Sequence, residues 1–346
     1  MKKQTIILPI KNTKPVALYS SKQVYAMEQA WFAEGYDSFG LMKQAAWQMT
    51  QRIEQLYEQK YFENSHPNIH VYHHDTCPHR ACIWVGKGNN GGDGWLIAHY
   101  LQQAGWQVEV ITVGFDKSDL AINNQAVIAN HKNSDSSNMT DATKALQIAL
   151  SANCNYQRFE EIHNRQDSSN ESILSTDVHI DALFGIGLDR APEGIYKKAI
   201  NTFNDSTQRH KALAVAVDIP SGLVASTGEV FDRVAIQADV TLCLIARKFG
   251  LHNKDGTDYS GEVTDIPLIP YQLQQPQKAS NHTIASEGTS PASEPIAMLL
   301  KAAHSMQARR QNSYKGRYGH ALVIGGNRID GSQGMGGAAI LAASST

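Results

Sequence analysis

The sequence predicts an α/β chain, a three-layer αβα Rossmann-like sandwich built on a mainly parallel sheet. Three observations predict it. Short strand-like runs that are apolar on both faces alternate with amphipathic segments, a glycine-rich turn joins one such run to a helix, and polar residues gather just beyond several runs. A strand covered by helices on both sides needs apolar residues at every position, and that need separates this class from an antiparallel sandwich with alternating faces.

Taken in order, Tyr19-Ser20-Ser21 precedes the periodic segment Val24–Trp31, which predicts a serine-capped helix. A second helix is expected from Phe39 through Ile53 into Leu56. After a polar, histidine-rich stretch from Asn64 to Arg80, strands are expected at Ala81–Val85, Val108–Val113, Val178–Phe184, Leu213–Val217 and Val240–Ile245, with a helix from Trp95 to near Gly105. Gln272–Pro295 is rich in Gln, Ser, Thr and Pro and reads as a linker. Ile296–Ala308 is read as a helix, and Tyr318–Gly326 as a new strand passing into a glycine turn. One strand, one turn and one helix cannot enclose a core, so this last piece reads as the opening of a second domain. The expected organisation is a domain over 1–270, a linker over 271–308 and a domain fragment over 309–346.

Composition narrows the function classes. The 346 residues are 42% hydrophobic with a formal net charge of −2, enough for a large core but with no basic stripe for nucleic acid. No apolar run approaches the roughly 20 residues needed to span a bilayer. Lys2-Lys3 and Ile6-Ile7-Leu8 resemble a signal start, but Pro9 and the polar Lys11–Lys14 end it early, so a cytoplasmic protein is expected. Cys77, Cys82, Cys154 and Cys243 show no paired spacing and are expected to be free thiols. His66, His70, His73, His74 and His79, with Cys77 and Cys82, lack the compact spacing of a structural zinc site; a solvated loop is the preferred reading.

The richest segment is Val85-Gly86-Lys87-Gly88-Asn89-Asn90-Gly91-Gly92-Asp93-Gly94. Glycines let backbone N–H groups approach an anion, and the N-terminus of the following helix adds roughly half a positive charge. Gly86, Gly88 and Gly91 satisfy the G-x-G-x-x-G dinucleotide pattern, yet Asn89, Asn90 and Asp93 place amides and a carboxylate where that pattern needs only spacers. Two further clusters lie at strand ends: Asp181–Arg190, which passes into a glycine turn, and Asp218-Ile219-Pro220-Ser221-Gly222. In an open parallel sheet ligands bind beyond the carboxyl ends of the strands. Asp181 and Asp218 each read alternatively as turn-forming carboxylates. Read functionally, an Asn amide oxygen, an Asp carboxylate and a Ser oxygen brought together form a hard-oxygen site for K⁺, Na⁺ or Mg²⁺. Asp218 is then a hydrogen-bond acceptor or proton carrier, while Lys117 is read as a surface lysine.

These residues resemble a family. Gly88–Gly94, Asp181-Ala182-Leu183-Phe184-Gly185-Ile186-Gly187 and Asp218–Leu223 occur in the order and spacing of the NAD(P)HX epimerase domain, and Leu41-Met42 and Lys248-Phe249-Gly250-Leu251 also look like it. The resemblance implies epimerisation of the R and S forms of hydrated NADH or NADPH at C6 of the reduced ring. It implies substrate contacts from Asn89, Asn90, Gly91, Gly92 and Asp93, a second loop of Gly185, Ile186, Gly187, Leu188, Asp189, Arg190 and Ala191, and a hydrogen bond from Asp218. It further implies a potassium ion held by Asn90, Asp181 and Ser221.

The tail, with Asn312–His320, Val323–Gly326 and Gly336-Gly337-Ala338, looks like the opening of the ADP- or ATP-dependent NAD(P)HX dehydratase domain, which has a ribokinase-like fold. Its later glycine-rich segment and catalytic Asp are missing, so ADP or ATP would serve only an activity not expected of this chain. For the epimerase step, Asp218 and Asp93 are the candidate acid and base. The competing readings are a Rossmann oxidoreductase with Asp116 on the ribose, and a non-catalytic module that binds a nucleotide or protein. Self-association is left open.

Overall fold

The computed structural model describes residues 15–62, 79–120, 139–164, 173–269 and 294–300. Seven strands form one sheet, all neighbours parallel: β2 (Arg80–Val85), β3 (Gln107–Thr112), β4 (Asn155–Arg158), β5 (Val178–Ala182), β6 (Leu213–Val217), β7 (Val240–Leu244) and β8 (Glu262–Ile266) lie in the order β4-β3-β2-β5-β6-β7-β8. The chain begins this sheet at β2, runs outwards through β3 and β4, then returns to β5 on the other side of β2. The order therefore reverses between β2 and β5, the point at which an open parallel sheet leaves a crevice above its carboxyl ends.

Helices cover both faces. On one face α2 (Ser38–Phe62), α3 (Asn89–Gln103) and α4 (Asp141–Ser151) bury Ala46, Met49, Leu96, Leu101 and Ala145 against Ile83, Val110, Ile180 and Val215. On the other, α5 (Gly194–His210) packs Ile200 and Phe203 against Cys82, Trp84 and Ala214. The alternation of neighbours such as Cys82 and Ile83 between the two cores is the period-two geometry of a strand buried on both sides. The three-layer parallel architecture expected from the sequence is the one found.

The central strands follow the sequence reading to within a residue or two, except that β5 ends at Ala182 and releases Leu183 and Phe184 into the following turn. Within this sheet, two strands escaped it. β4 (Asn-Tyr-Gln-Arg) and β8 (Glu-Val-Thr-Asp-Ile) are the edge strands, partly exposed and polar, so neither shows the apolar run that marks a central strand. A small two-stranded sheet, β1 (Val16–Leu18) antiparallel to β9 (Ala297–Leu299), replaces the start of the helix expected at Ile296–Ala308. Alternating Ile296, Met298 and Leu300 have the period of a strand, and Leu18 O accepts the Ile296 N–H at 3.0 Å.

The serine-capped helix is present as α1 (Ser21–Ala33). Ser20 Oγ accepts from Gln23 N, and Gln23 Oε1 accepts from Ser20 N, a reciprocal capping box. Tyr19 ties the start of this helix to the end of β7, donating N–H to Arg247 O and accepting from Phe249 N, both at 2.8 Å. Cys82, Cys154 and Cys243 are buried free thiols, as expected. Cys77, His66, His70, His73 and His74, most of the expected linker, and residues 309–346 with the expected ribokinase-like opening lie outside the described residues.

Candidate active site

The glycine-rich segment is more helical than its sequence suggests. α3 begins at Asn89, with Gly88 as its N-cap, so Asn90 through Asp93 form its first turns and not a free loop. Glycine is a poor helix former, and tertiary packing outweighs that propensity here. A Cβ on Gly91 would run into the Gly86 carbonyl oxygen, and one on Gly94 would sit 2.6 Å from the Ala182 side chain. The missing side chains let α3 press its N-terminus onto the β2–β5 crevice, which leaves Asn89 exposed and Asn90 and Asp93 only 9% and 8% exposed.

Asn90, Asp181 and Ser221 converge. Asp181, at the end of β5, is fully buried and accepts from Ser221 N at 2.7 Å, Ser221 Oγ at 2.6 Å and Leu183 N at 3.1 Å. Ser221 Oγ accepts from Phe184 N at 2.8 Å, and Asn90 Nδ2 donates to Phe184 O at 2.8 Å. Burial pushes the Asp181 carboxyl up to about 6, although the Ser221 and Leu183 hydrogen bonds pull the other way. Among the described residues no ion pair reaches Asp181, so the buried carboxylate, with the Ser221 hydroxyl and the Phe184 carbonyl near it, has no side-chain counter-charge. That donor set fits a monovalent cation.

Asp218 follows β6 with φ at 65°, in the left-handed region that few non-glycine residues occupy. Its backbone N–H donates to Leu242 O, while Oδ1 accepts from Leu244 N at 2.9 Å and from the ammonium of Lys248. Lys248 is fully buried, and its Nζ also donates to Leu244 O at 2.7 Å. Burial alone would lower the Lys248 pKa, but the Asp218 charge and the adjacent Cys243 outweigh it and hold it above the ordinary lysine value.

Asp93 is the opposite case. Burial, then the charges of Asp218 and Glu28, push its carboxyl well above the carboxylate range. Glu28, on α1, is itself raised, first by burial and then by Asp218, with Lys248 opposing. Asp93, Glu28 and Asp218 thus bring three carboxyl groups near one ammonium, and burial pushes the Asp93 carboxyl up while Asp218 is ion-paired to Lys248.

An open cavity of about 740 Å³ is lined by Gly185, Gly187, Leu188, Asp189, Arg190 and Ala191 together with Phe184 and Tyr196, and none of Asp93, Asp218, Glu28 and Lys248 is among its lining residues. Ile186 turns away from this cavity and packs with Tyr19, Val24 and Met27 of the α1 region. Lys117 is exposed, as expected for a surface lysine. Sequence reasoning assigned no role to Lys248 or Glu28. The position of Lys248 just after a buried strand was a usable signal; Glu28 sits on an ordinary amphipathic helix and gave none.

The fold and site define a doubly wound α/β protein with an oxygen-rich, carboxylate-lined crevice at the switch point of its sheet. Residues 38–250 match the family described as YjeF-related protein N-terminus, and the chain belongs to that family. It is 34% identical over 182 residues to the "NAD(P)H-hydrate epimerase" of Limosilactobacillus reuteri (strain DSM 20016), covering 52% of this chain and 69% of that protein. It is 30% identical over 245 residues to the "Bifunctional NAD(P)H-hydrate repair enzyme Nnr" of Escherichia coli (strain K12), covering 71% of this chain and 39% of that protein. The crystal structure of yeast ynu0 (YNL200c) shares the fold, with a TM-score of 0.50 at 19% identity over 72% of this chain and 87% of that one. No helix among the described residues is long and apolar enough to cross a membrane.

Proposed function

We propose that this protein is an isomerase that interconverts the R and S forms of hydrated NADH and NADPH at C6 of the reduced nicotinamide ring, in the repair of damaged nicotinamide nucleotides. The observation that carries the reading is the buried Asp93 at the start of α3 with Asp218, ion-paired to Lys248, at the end of β6, in a chain of this family. The names of its bifunctional and single-domain relatives support the substrate. We further propose residues 1–270 as the epimerase domain, 271–308 as a linker and 309–346 as the opening of a dehydratase domain, in a cytoplasmic protein.

The chemistry follows from the substrate. C6 carries a hydroxyl beside the ring nitrogen, so the C6–O bond breaks when the departing oxygen is protonated. The nitrogen lone pair then forms an iminium with C6, and water leaves. Water returning to the opposite face gives up one proton and restores the neutral ring with inverted configuration. Asp93, whose carboxyl is pushed up by burial and then by the charges of Asp218 and Glu28, suits the acid. Asp218 suits the acceptor of the incoming water's proton, and Lys248 orients its carboxylate. The loop of Gly185 to Ala191 and the Asn89–Asp93 turn hold the nucleotide, the latter through backbone N–H groups at the start of α3. Asn90, Asp181 and Ser221 would hold a potassium ion, whose charge would offset that of Asp181 and fix the crevice loops.

Adding pure (R)-NADHX in potassium buffer and following both epimers by chromatography tests this. Exchange well above the enzyme-free rate is expected. Saturable binding with exchange no faster than the control would overturn the activity in favour of a non-catalytic binding module.

A further inference from the structure

The ends of β6 and β7, neighbours in the sheet, each carry a residue in the left-handed backbone region. Asp218 is one; Ile245, with φ at 62°, is the other. Among the described residues Ile245 is the one β-branched residue in that region, where its Cβ crowds the following carbonyl oxygen. Glycine would adopt the same conformation without strain. An isoleucine persists there only where its surroundings over-determine it, and residues held in this way cluster at functional sites.

The turn through Ile245 decides where Lys248 goes. Leu244, just before it, donates its N–H to Asp218 Oδ1 at 2.9 Å, and its carbonyl accepts from Ala246 N at 2.6 Å and from Lys248 Nζ at 2.7 Å. Cys243 Sγ donates to Ala246 O at 3.3 Å and closes the same turn. The chain therefore reverses over Leu244 to Ala246, and the Lys248 side chain runs back to the strand end, where its ammonium meets Asp218 Oδ1. Tyr19 holds the Lys248 backbone from outside, through its bonds to Arg247 O and Phe249 N on either side.

What offsets the strain is the isoleucine side chain. It packs on the cluster of Tyr19, Val24 and Met27 around the start of α1, the cluster that also receives Ile186. We propose that Ile245 is a positioning residue for the isomerisation, its side chain anchoring against α1 the turn that sets the Lys248 ammonium on Asp218; this rests on the reading of Asp218 as the acceptor of a proton. Among the described residues the side-chain hydrogen bonds of Asp218 fall on Oδ1, so Oδ2 is the oxygen left to receive that proton. With Oδ1 held by a backbone N–H and an ammonium, the direction of Oδ2 is fixed as well, and misplacing a reacting group by about 1 Å can cost on the order of 10²-fold in rate.

Three variants of the full chain, assayed with (R)-NADHX and melted in parallel, test the inference. Ile245→Gly keeps the left-handed backbone and removes the anchor, so kcat should fall about tenfold or more while KM stays within about twofold of wild type. Ile245→Ala loses the same packing but keeps the Cβ strain, so it should melt below Ile245→Gly, the reverse of the usual order of alanine and glycine. Ile245→Val, which keeps the branch and most of the contact, should hold kcat within about twofold. A readout independent of turnover is solvent exchange of the Lys248 ammonium, followed in spectra of ¹⁵N-lysine-labelled protein and assigned as the signal lost in Lys248→Arg. Ile245→Gly should speed that exchange about tenfold or more. Unchanged kcat and ammonium exchange in Ile245→Gly, a fall in kcat matched by a rise in KM, or Ile245→Ala melting above Ile245→Gly would each overturn the assignment. Absence of R/S exchange in wild type, with the Lys248 signal loosened in Ile245→Gly, would strike the proposed activity and leave Ile245 as the residue that sets Lys248 on Asp218.

Discussion

Asp218 adopts a left-handed backbone conformation while its side chain caps Leu244 N and pairs with a fully buried lysine. A strained, charged residue at a strand end persists only where the surrounding structure over-determines it. The pair has two separable consequences. Asp218→Asn leaves the Lys248 ammonium buried without its carboxylate, which costs roughly 3–5 kcal/mol of stability for a fully desolvated pair. The same variant should slow R/S exchange by ~10²-fold or more, since it removes a proton carrier. Asp218→Asn combined with Lys248→Met removes the orphaned charge, so the thermal midpoint should recover most of its loss while the exchange rate does not. Recovery of both together would make Asp218 a structural residue and leave Asp93 to find another partner.

At the scale of the element, α3 decides where the chemistry sits, and its glycines do so through close approach. Gly91 faces the Gly86 carbonyl, whereas Gly88 at the N-cap has nothing within 4 Å of an added Cβ. Gly91→Ala should therefore cost about 1–3 kcal/mol or more and displace Asn90 and Asp93 from the crevice. Gly88→Ala should cost under about 1 kcal/mol, the difference between glycine and alanine at an N-cap. Denaturant midpoints and exchange rates for the two variants check this, and equal losses would show that the turn's flexibility matters more than its packing.

The same helix shows what was legible in the sequence. Its motif, its place after β2 and the partners Asp181 and Ser221 could be read, because ligand-facing residues lie next to apolar runs. Its true start at Asn89 could not, since a glycine-rich segment becomes helical only when Ala182, Gly86 and Met42 are there to receive it. β4 and β8 were hidden for the complementary reason, as edge strands whose polar faces carry no apolar run. Lys248 as partner of Asp218 depends on the turn after β7 folding back on its own strand end, a relation that local pattern does not encode.

For the whole molecule, β5 couples stability to pH from two sides. His179 and Asp181 are two residues apart and so share one face of the strand. His179 accepts from Trp84 Nε1 at 3.1 Å, and burial pulls its pKa down to about 4. A histidine lowered from about 6.5 stays neutral in the fold while the unfolded chain takes up a proton, so its contribution is lost as pH falls from 6.5 towards 4. Asp181, raised from 3.8 to about 6, works in the other sense. The folded state holds its proton between pH 4 and 6 where the unfolded chain does not, so its contribution is lost as pH rises through that window. Each shift is worth about 3 kcal/mol, and the two largely cancel. Relative to wild type, the free energy of unfolding from pH 4 to 6.5 should climb more steeply with pH in Asp181→Asn and fall more steeply in His179→Gln. Two variant profiles parallel to wild type would remove both groups from the balance. A potassium ion bound at Asp181 adds a further signature, because it replaces the proton there only above about pH 6. At pH 7.5 the thermal midpoint in potassium should exceed that in tetramethylammonium, at equal ionic strength, by a few degrees. At pH 4, and in Asp181→Asn at either pH, the two salts should give the same midpoint; coincident curves for wild type at pH 7.5 would mean that the cluster of oxygens around Asp181 holds no potassium.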